Sequence, residues 1–501
     1  MSGPQPPASP RLPESLSWRA YLPLALLSLL PRLALSLAFL HAPIGLDDMF
    51  QYDMLARSLA AGQGYRWYGR ADVARMLPYL RTYYGIDLPV EQVPETGLLT
   101  TFRAPGYPFF LAGLYAVFGF QDRFAVARLA QVLLGAALAP ATALLVLRLG
   151  LTRRAAAVAG VVLALYSILW MYPIGLASEN TFLPLVLFSL LTLLAASRSG
   201  GAWPAALAGL TLGAATLTRG ALVAFLPLAA WWLARGPVGS RSTRRVRVVQ
   251  LLALSLAAAA TLVPWMVRNS LILGRPAFVE NSPGYNLFVG YHPLGDGSFD
   301  TRAAVMPLRI LDDGERDRWT TAQALQFIWE DPLDALLRLP RRMARFWGLE
   351  DRELMYFYAN NYFGPISQPW LALGYILLVS PLIALGLSAP FGMALADDRR
   401  GSALCLALIG ATLLAYVPIL ADPRFHLPLI PVLAAYAANA WTTPRGFHQV
   451  RDRLGRRDPA MLWAAAAAAL LIVLWIWDFA LDWGRLQAVL SPGGNLLRLD
   501  Y

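Results

Sequence analysis

The chain reads as an all-α polytopic membrane protein, and three features of its 501 residues carry that reading. Hydrophobic residues make up 57% of it and charged residues only 15%, which is not the balance of a soluble domain. The apolar residues fall in blocks of about 20, the length that crosses a hydrocarbon core of roughly 30 Å as a helix. A transmembrane barrel would show short alternating strands instead.

The elements follow in chain order. The Pro-rich start MSGPQPPASPRLPES lacks the pattern of a cleaved signal peptide, so residues 1–19 are expected to be a disordered cytoplasmic lead-in. An N-terminal membrane module over 20–272 follows, with spans near 20–41, 122–148, 155–173, 179–196, 203–217, 220–234 and 248–272 and a long loop at 42–121. A second long loop covers 273–369. Further spans are expected near 370–393, 401–420, 425–441 and 461–481, with a basic loop at 442–460 and a tail to residue 501, about eleven spans in all.

Short basic loops set the orientation. Arg153 and Arg154, Arg198, the run from Arg235 to Arg247, Arg399 and Arg400, and Arg445 to Arg457 all fall on one side if the N-terminus is cytoplasmic. The two long loops then face outward, as expected for a protein of the bacterial inner membrane. Residues 47–61 form a candidate helix in the first loop. In the second, TTAQALQFIWEDPLDALLRLPRRMARFWG reads as two amphipathic pieces broken at Pro332 and lying at the membrane interface. GYPFFLAGLYAVFG is too short to span comfortably and suits a re-entrant or interfacial helix.

Composition also excludes chemistries. The formal charge of +11 is carried by arginine alone, because the chain has no lysine, so a phosphate-loop lysine and a Schiff-base lysine are both ruled out. The arginines are scattered through loops without an aromatic-rich basic groove, which argues against nucleic acid. Cys405 lies inside an apolar block and reads as a packed core residue. The four histidines have no ligand spacing, and adjacent acids could hold Mg²⁺ or Mn²⁺ only with water completing the shell, so no metal or other cofactor is expected.

Polar groups at membrane helix ends are costly unless paired or wetted. On the outward side these are Asp47, Asp48, Arg103, Glu179, Arg219, Arg268, Asn286 and Arg424. Together they would give carboxylate bases over a cationic floor suited to a phosphate. Each has a plainer reading. Asp47 and Asp48 could cap the following helix, although one cap needs one acid. Arg219 and Arg268 could be interfacial arginines with snorkelling stems, Glu179 a simple helix-start charge, and Arg424 a partner for Asp422 alone. Arg32 and Arg128 lie inside spans and need partners there. Gly209 and Gly213 form a small-residue packing motif.

The stretches DDMFQYDMLARSLAAGQGY and TFRAPGYPFFLAGLYAVFG resemble the first outward loop of the polyprenyl-phosphate-sugar-dependent glycosyltransferases of the GT-C fold. The likeness is to the branch of protein O-mannosyltransferases and bacterial aminoarabinose transferases. ASENTFLPLVLF, LTRGALVAFLPL, VPWMVRNSLILGRPAFVENSPGYNLFVGYHP and DPRFHLPLIPVLAAYA extend it from about residue 45 to 441.

The resemblance implies a sugar moved from a polyprenyl-phosphate donor to an acceptor hydroxyl on a glycolipid, glycan or protein. It sets Asp48 at the family's catalytic aspartate, with Asp47 the alternative because Met49 stands where the family carries alanine. It implies a second acid at Glu179, a phosphate contact at Arg103 and a late phosphate-side arginine at Arg424. A single base opposite a departing phosphate fits displacement with inversion. A transporter or lipid flippase is the competing reading, since it too would place charges in a membrane cavity, but it would favour internal repeats that the chain does not show by eye.

Overall fold

The structure, a computed structural model, describes residues 18–236, 243–491 and 493–495; most of the expected lead-in, Arg241 and the last residues of the tail lie outside them. Helices dominate, and the described strands are a two-residue antiparallel pair, β1 (Arg66–Trp67) and β2 (Leu98–Leu99).

Among the described residues, six helices are long and apolar enough to cross a membrane, or seven if the bent pair Arg153–Ala164 and Ile168–Ile174 is one span. Helices cover all eleven expected segments, but eleven spans are not supported by length and composition. Ala202–Thr218 and Gly220–Ala234 are shorter apolar helices, Ile430–Thr442 has 13 residues, and Arg399–Tyr416 opens on two arginines. At 1.5 Å per residue, 17 residues reach only about 25 Å.

The core of the bundle packs by close backbone approach. Ala202–Thr218 lies between Glu179–Ser199 and Arg244–Leu273. A Cβ on Gly209 would collide with the Leu254 carbonyl, and one on Gly213 would meet the Thr261 Cβ at 2.7 Å, which is the packing role expected of that motif. Of the two arginines that lie inside spans, Arg128 is held by backbone carbonyls on all three of its nitrogens, whereas Arg32 is held through Nη1 alone and keeps its Nε and Nη2 buried without a partner. Arg32 donates to Ser28 O at 2.7 Å and to Ala164 O at 3.4 Å. Arg128 donates to Ile174 O, Leu40 O and Ala42 O at 2.7–2.8 Å, latching the chain just before the acidic stretch.

After α1 (Trp18–Ala38), the first long loop carries α2 (Asp48–Ala60) and α3 (Arg70–Tyr84), followed by α4 (Gly106–Phe118), a 13-residue helix shorter than a span, as expected. In α2, Asp53 is fully buried between Arg57 (2.8 Å), Arg123 (2.7 Å) and the Tyr115 hydroxyl (3.1 Å), which staples the loop to the bundle. In the second loop, Asp313–Glu330 and Pro332–Phe346 meet at Asp331, whose side chain caps the second helix through the Asp334 N–H with Pro332 in the first turn. The break expected at Pro332 is present. Leu325, Trp329, Leu333 and Leu336 form an exposed apolar edge across it, with Trp329 78% exposed.

Candidate functional site

The paired acids at the start of α2 divide their work. Asp47 is the N-cap: its Oδ1 accepts the Met49 N–H at 2.9 Å, and its Oδ2 accepts the Tyr356 hydroxyl at 2.6 Å. Gly45 makes room for that tyrosine, because a Cβ there would collide with the hydroxyl. With the cap filled by Asp47, Asp48 in the first turn is left for other partners.

Those partners are two arginines from distant segments. Arg103 Nη2 donates to Asp48 Oδ1, and Arg424 Nη1 donates to Oδ2 at 3.2 Å. Gln51 Oε1, one turn along α2, accepts Arg103 Nε at 2.8 Å and fixes the guanidinium plane. The Asp48 side chain keeps 30% exposure, so the pair faces an opening. Burial pushes its carboxyl up, but Arg103, Arg424 and Arg219 outweigh that and hold it at about 2. Asp47 moves the other way, raised by burial and by the neighbouring Asp48 charge. Two adjacent carboxyls are thus driven apart, with Asp48 kept ionised.

A second ion pair lies alongside. Glu179, 3% exposed at the start of Glu179–Ser199, accepts Arg219 Nη2 at 2.6 Å, while Arg219 Nε donates to Ser178 Oγ at 3.1 Å. Arg219 and Arg424 both sit over the Phe425 ring, at 5.4 and 5.6 Å, and Phe425 stacks on Tyr416 at 4.1 Å. The Gly220 N–H, next to Arg219, donates to Glu280 Oε1 at 3.0 Å. Three arginines, Arg103, Arg219 and Arg424, and four acids, Asp47, Asp48, Glu179 and Glu280, therefore line one region.

A short helix from the second loop, Arg352–Ala359, ties these pieces together. Tyr356 reaches Asp47, Arg352 Nη1 reaches Asp422 Oδ2 at 3.3 Å, and Asp422 Oδ1 accepts the Arg424 N–H at 3.2 Å. Glu353 accepts the Tyr172 hydroxyl at 2.6 Å from the bent helix pair. Sequence reasoning missed Tyr356, Arg352, Glu353, Gln51 and Glu280; the cluster of four charges in EDRE, just before an apolar span, was the available signal.

This helix also carries a pH dependence. Burial, helped by Asp482 and Asp478, raises Asp351 to about 8, and burial with Asp422 raises Glu353 to about 7. Carboxyls whose folded values lie above the ordinary value of about 4 stabilise the fold fully below that value. The contribution drains away as pH rises through 7 to 8. Thermal unfolding in detergent is therefore expected to show a midpoint that falls between about pH 4 and 8 and levels off above that. Glu353→Gln and Asp351→Asn should flatten that slope, and an unchanged slope in both would refute the assignment.

Two expected site residues stand elsewhere. Arg268 donates to Thr100 O at 2.6 Å and Tyr65 O at 3.3 Å, and stacks over Trp265 at 4.6 Å, so it clamps the first loop instead of facing Asp48. Asn286 turns back to Ser282 Oγ at 3.5 Å. A sequence places a residue along the membrane normal but not around it; Arg268 is spent on the first loop, and Asn286 reaches Ser282, two residues from Glu280, and not Asp48. Among the described residues, no group of three metal-binding side chains is arranged to hold an ion.

The sequence matches no family model and no curated protein. Among solved structures, the apo oligosaccharyltransferase of Archaeoglobus fulgidus superposes with a TM-score of 0.50 at 16% identity, covering 92% of this chain and 55% of that one. The oligosaccharyltransferase AglB of the same organism, in complex with an inhibitory peptide and a dolichol-phosphate, gives 0.47 at 16%, covering 93% and 56%. ArnT from Cupriavidus metallidurans bound to undecaprenyl phosphate gives 0.40 at 13%, covering 93% and 73%. This chain thus spans about half the length of the oligosaccharyltransferase. The first likeness establishes the fold, which is the GT-C polytopic architecture expected from the sequence.

Proposed function

We propose that the chain is an integral membrane glycosyltransferase. It takes a sugar from a polyprenyl-phosphate donor, undecaprenyl phosphate in a bacterial inner membrane, and transfers it with inversion to a hydroxyl on the extracytoplasmic side. The observation that carries this reading is Asp48, ionised and clasped between Arg103 and Arg424 beside the Glu179–Arg219 pair. The fold shared with an enzyme named as an oligosaccharyltransferase supports it.

The chemistry follows from charge competition. A lipid phosphate entering the site draws Arg103 and Arg424 onto its oxygens, and Asp48 loses the partners that keep its basicity low. The freed carboxylate accepts the proton of the acceptor hydroxyl as that oxygen bonds to the anomeric carbon. The bond from that carbon to the phosphate oxygen breaks, and its electron pair leaves with the polyprenyl phosphate, neutralised by the arginines. Glu179 holds Arg219 in place for the same anion.

The test is purified protein in detergent with an undecaprenyl-phosphate sugar and a panel of glycolipid, glycan and peptide acceptors. Release of undecaprenyl phosphate with a glycosylated product is expected. Substrate uptake into proteoliposomes without any glycosyl product would establish the transporter reading in its place.

A further inference from the structure

A second cavity lies at the far end of α2, away from Asp48. It holds about 310 Å³ and is lined by Arg57 and Ser58 of α2, Arg66 of β1, Asp72 of α3, Glu95 and the edge of Phe120. That is the lower end of the range for small-molecule sites. The cleft is pre-formed. Arg57 Nη2 is held by Asp72 at 2.7 Å, Arg66 Nη1 by Gly97 O at 2.9 Å, and Ser58 Oγ donates to Gly64 O at 2.9 Å.

The lining identifies the ligand class. Two guanidiniums and two carboxylates cancel, so neither a phosphate nor a cation gains net attraction. Donors and acceptors stand side by side, and Phe120, 43% exposed, adds one apolar patch. A pyranose ring, uncharged, studded with hydroxyls and apolar on one face, is complementary to that surface. Position then ties the cleft to the site: nine residues of α2 separate Asp48 from Arg57, about 14 Å along the helix.

We propose that this cleft holds a non-reacting sugar unit of the acceptor, so that the acceptor is an oligosaccharide whose reacting hydroxyl lies at Asp48. The proposal rests on the glycosyltransferase reading. Contacts remote from the reacting atoms would then supply binding energy that positions the hydroxyl.

The test uses the full chain in lipid nanodiscs and linear tetrasaccharides of glucose, mannose, galactose and N-acetylglucosamine, observed by saturation-transfer NMR without donor. At least one is expected to bind, and Ala61→Trp, which fills the cleft from an exposed position, should weaken it about tenfold or more. Glu95→Ala should do likewise; Glu95 is 71% exposed and its pair with Arg70 adds little to the fold. Both variants should raise the acceptor KM about tenfold more than they lower kcat, with donor affinity unchanged. Absence of saccharide binding, or binding indifferent to both variants, overturns the proposal. Cleft-dependent binding without any sugar transfer would leave the cleft standing as a saccharide site and defeat the glycosyltransferase reading instead.

Discussion

Asp48→Asn is expected to lower turnover about 100-fold or more, the scale for losing a general base, while donor affinity holds or rises. The asparagine keeps the size of the side chain and removes its charge, so Arg103 and Arg424 are released to a phosphate that no longer competes for them. The measurement is kcat and donor KM in the same detergent assay. Asp47→Asn is the control: an asparagine still caps α2 by accepting the Met49 N–H at its Oδ1, and its amide NH2 can donate to the Tyr356 hydroxyl where Asp47 accepted from it, so its activity should stay within a few-fold of the parent. The reverse outcome, normal turnover in Asp48→Asn with collapse in Asp47→Asn, would transfer the base to Asp47. In the free protein Asp48 stays ionised down to about pH 2, so any acid limb in kcat/KM near pH 5 must belong to another group.

The largest effect on stability is expected from Arg345→Met. Arg345 Nη1 donates to Asp478 Oδ1 at 2.8 Å and to Asp482 Oδ2, and its Nη2 lies 3.2 Å from Asp296. Asp478 and Asp482 are each 2% exposed on the long helix Pro459–Leu490. Methionine fills much of the same volume but leaves Asp478 without its arginine and Asp482 with only the longer contacts to Arg352 and Arg485, a loss of about 3–5 kcal/mol. Arg352 also reaches Asp482, at 3.5 Å, and Asp422 beyond it, so what remains folded should bind donor more weakly through a displaced Arg424. Thermal unfolding in detergent reads the first effect and donor titration the second. The triple variant with Asp478→Asn and Asp482→Asn should recover most of the stability; failure to recover it would mean that Arg345 acts by packing and not by charge.

The legible part of the site was the part written at helix ends. Asp47 and Asp48 precede an amphipathic stretch, and Arg103, Glu179, Arg219 and Arg424 each stand where an apolar block begins or stops, so their charge needed an explanation within the sequence itself. The structure does bring these six together. It does not bring Arg268 and Asn286, because a residue's depth in the bilayer follows from its place in an apolar block while its direction around the helix follows from packing. Within Arg352–Ala359 only the charges of EDRE gave a signal; Tyr356 was illegible, because nothing local distinguishes it from its neighbours although it meets Asp47 across 309 positions of sequence.

By itself the sequence determined the membrane class, the run of helical segments, the two long loops and the break at Pro332. Each follows from local physics: the cost of an unpaired polar group in hydrocarbon, the length of a span and the missing N–H of proline. Only the tertiary structure decided which acid caps and which is clasped, and which arginines face it. Asp48 and Arg424 are 376 residues apart, and the energy of an ion pair depends on a separation of a few ångströms that no local pattern encodes.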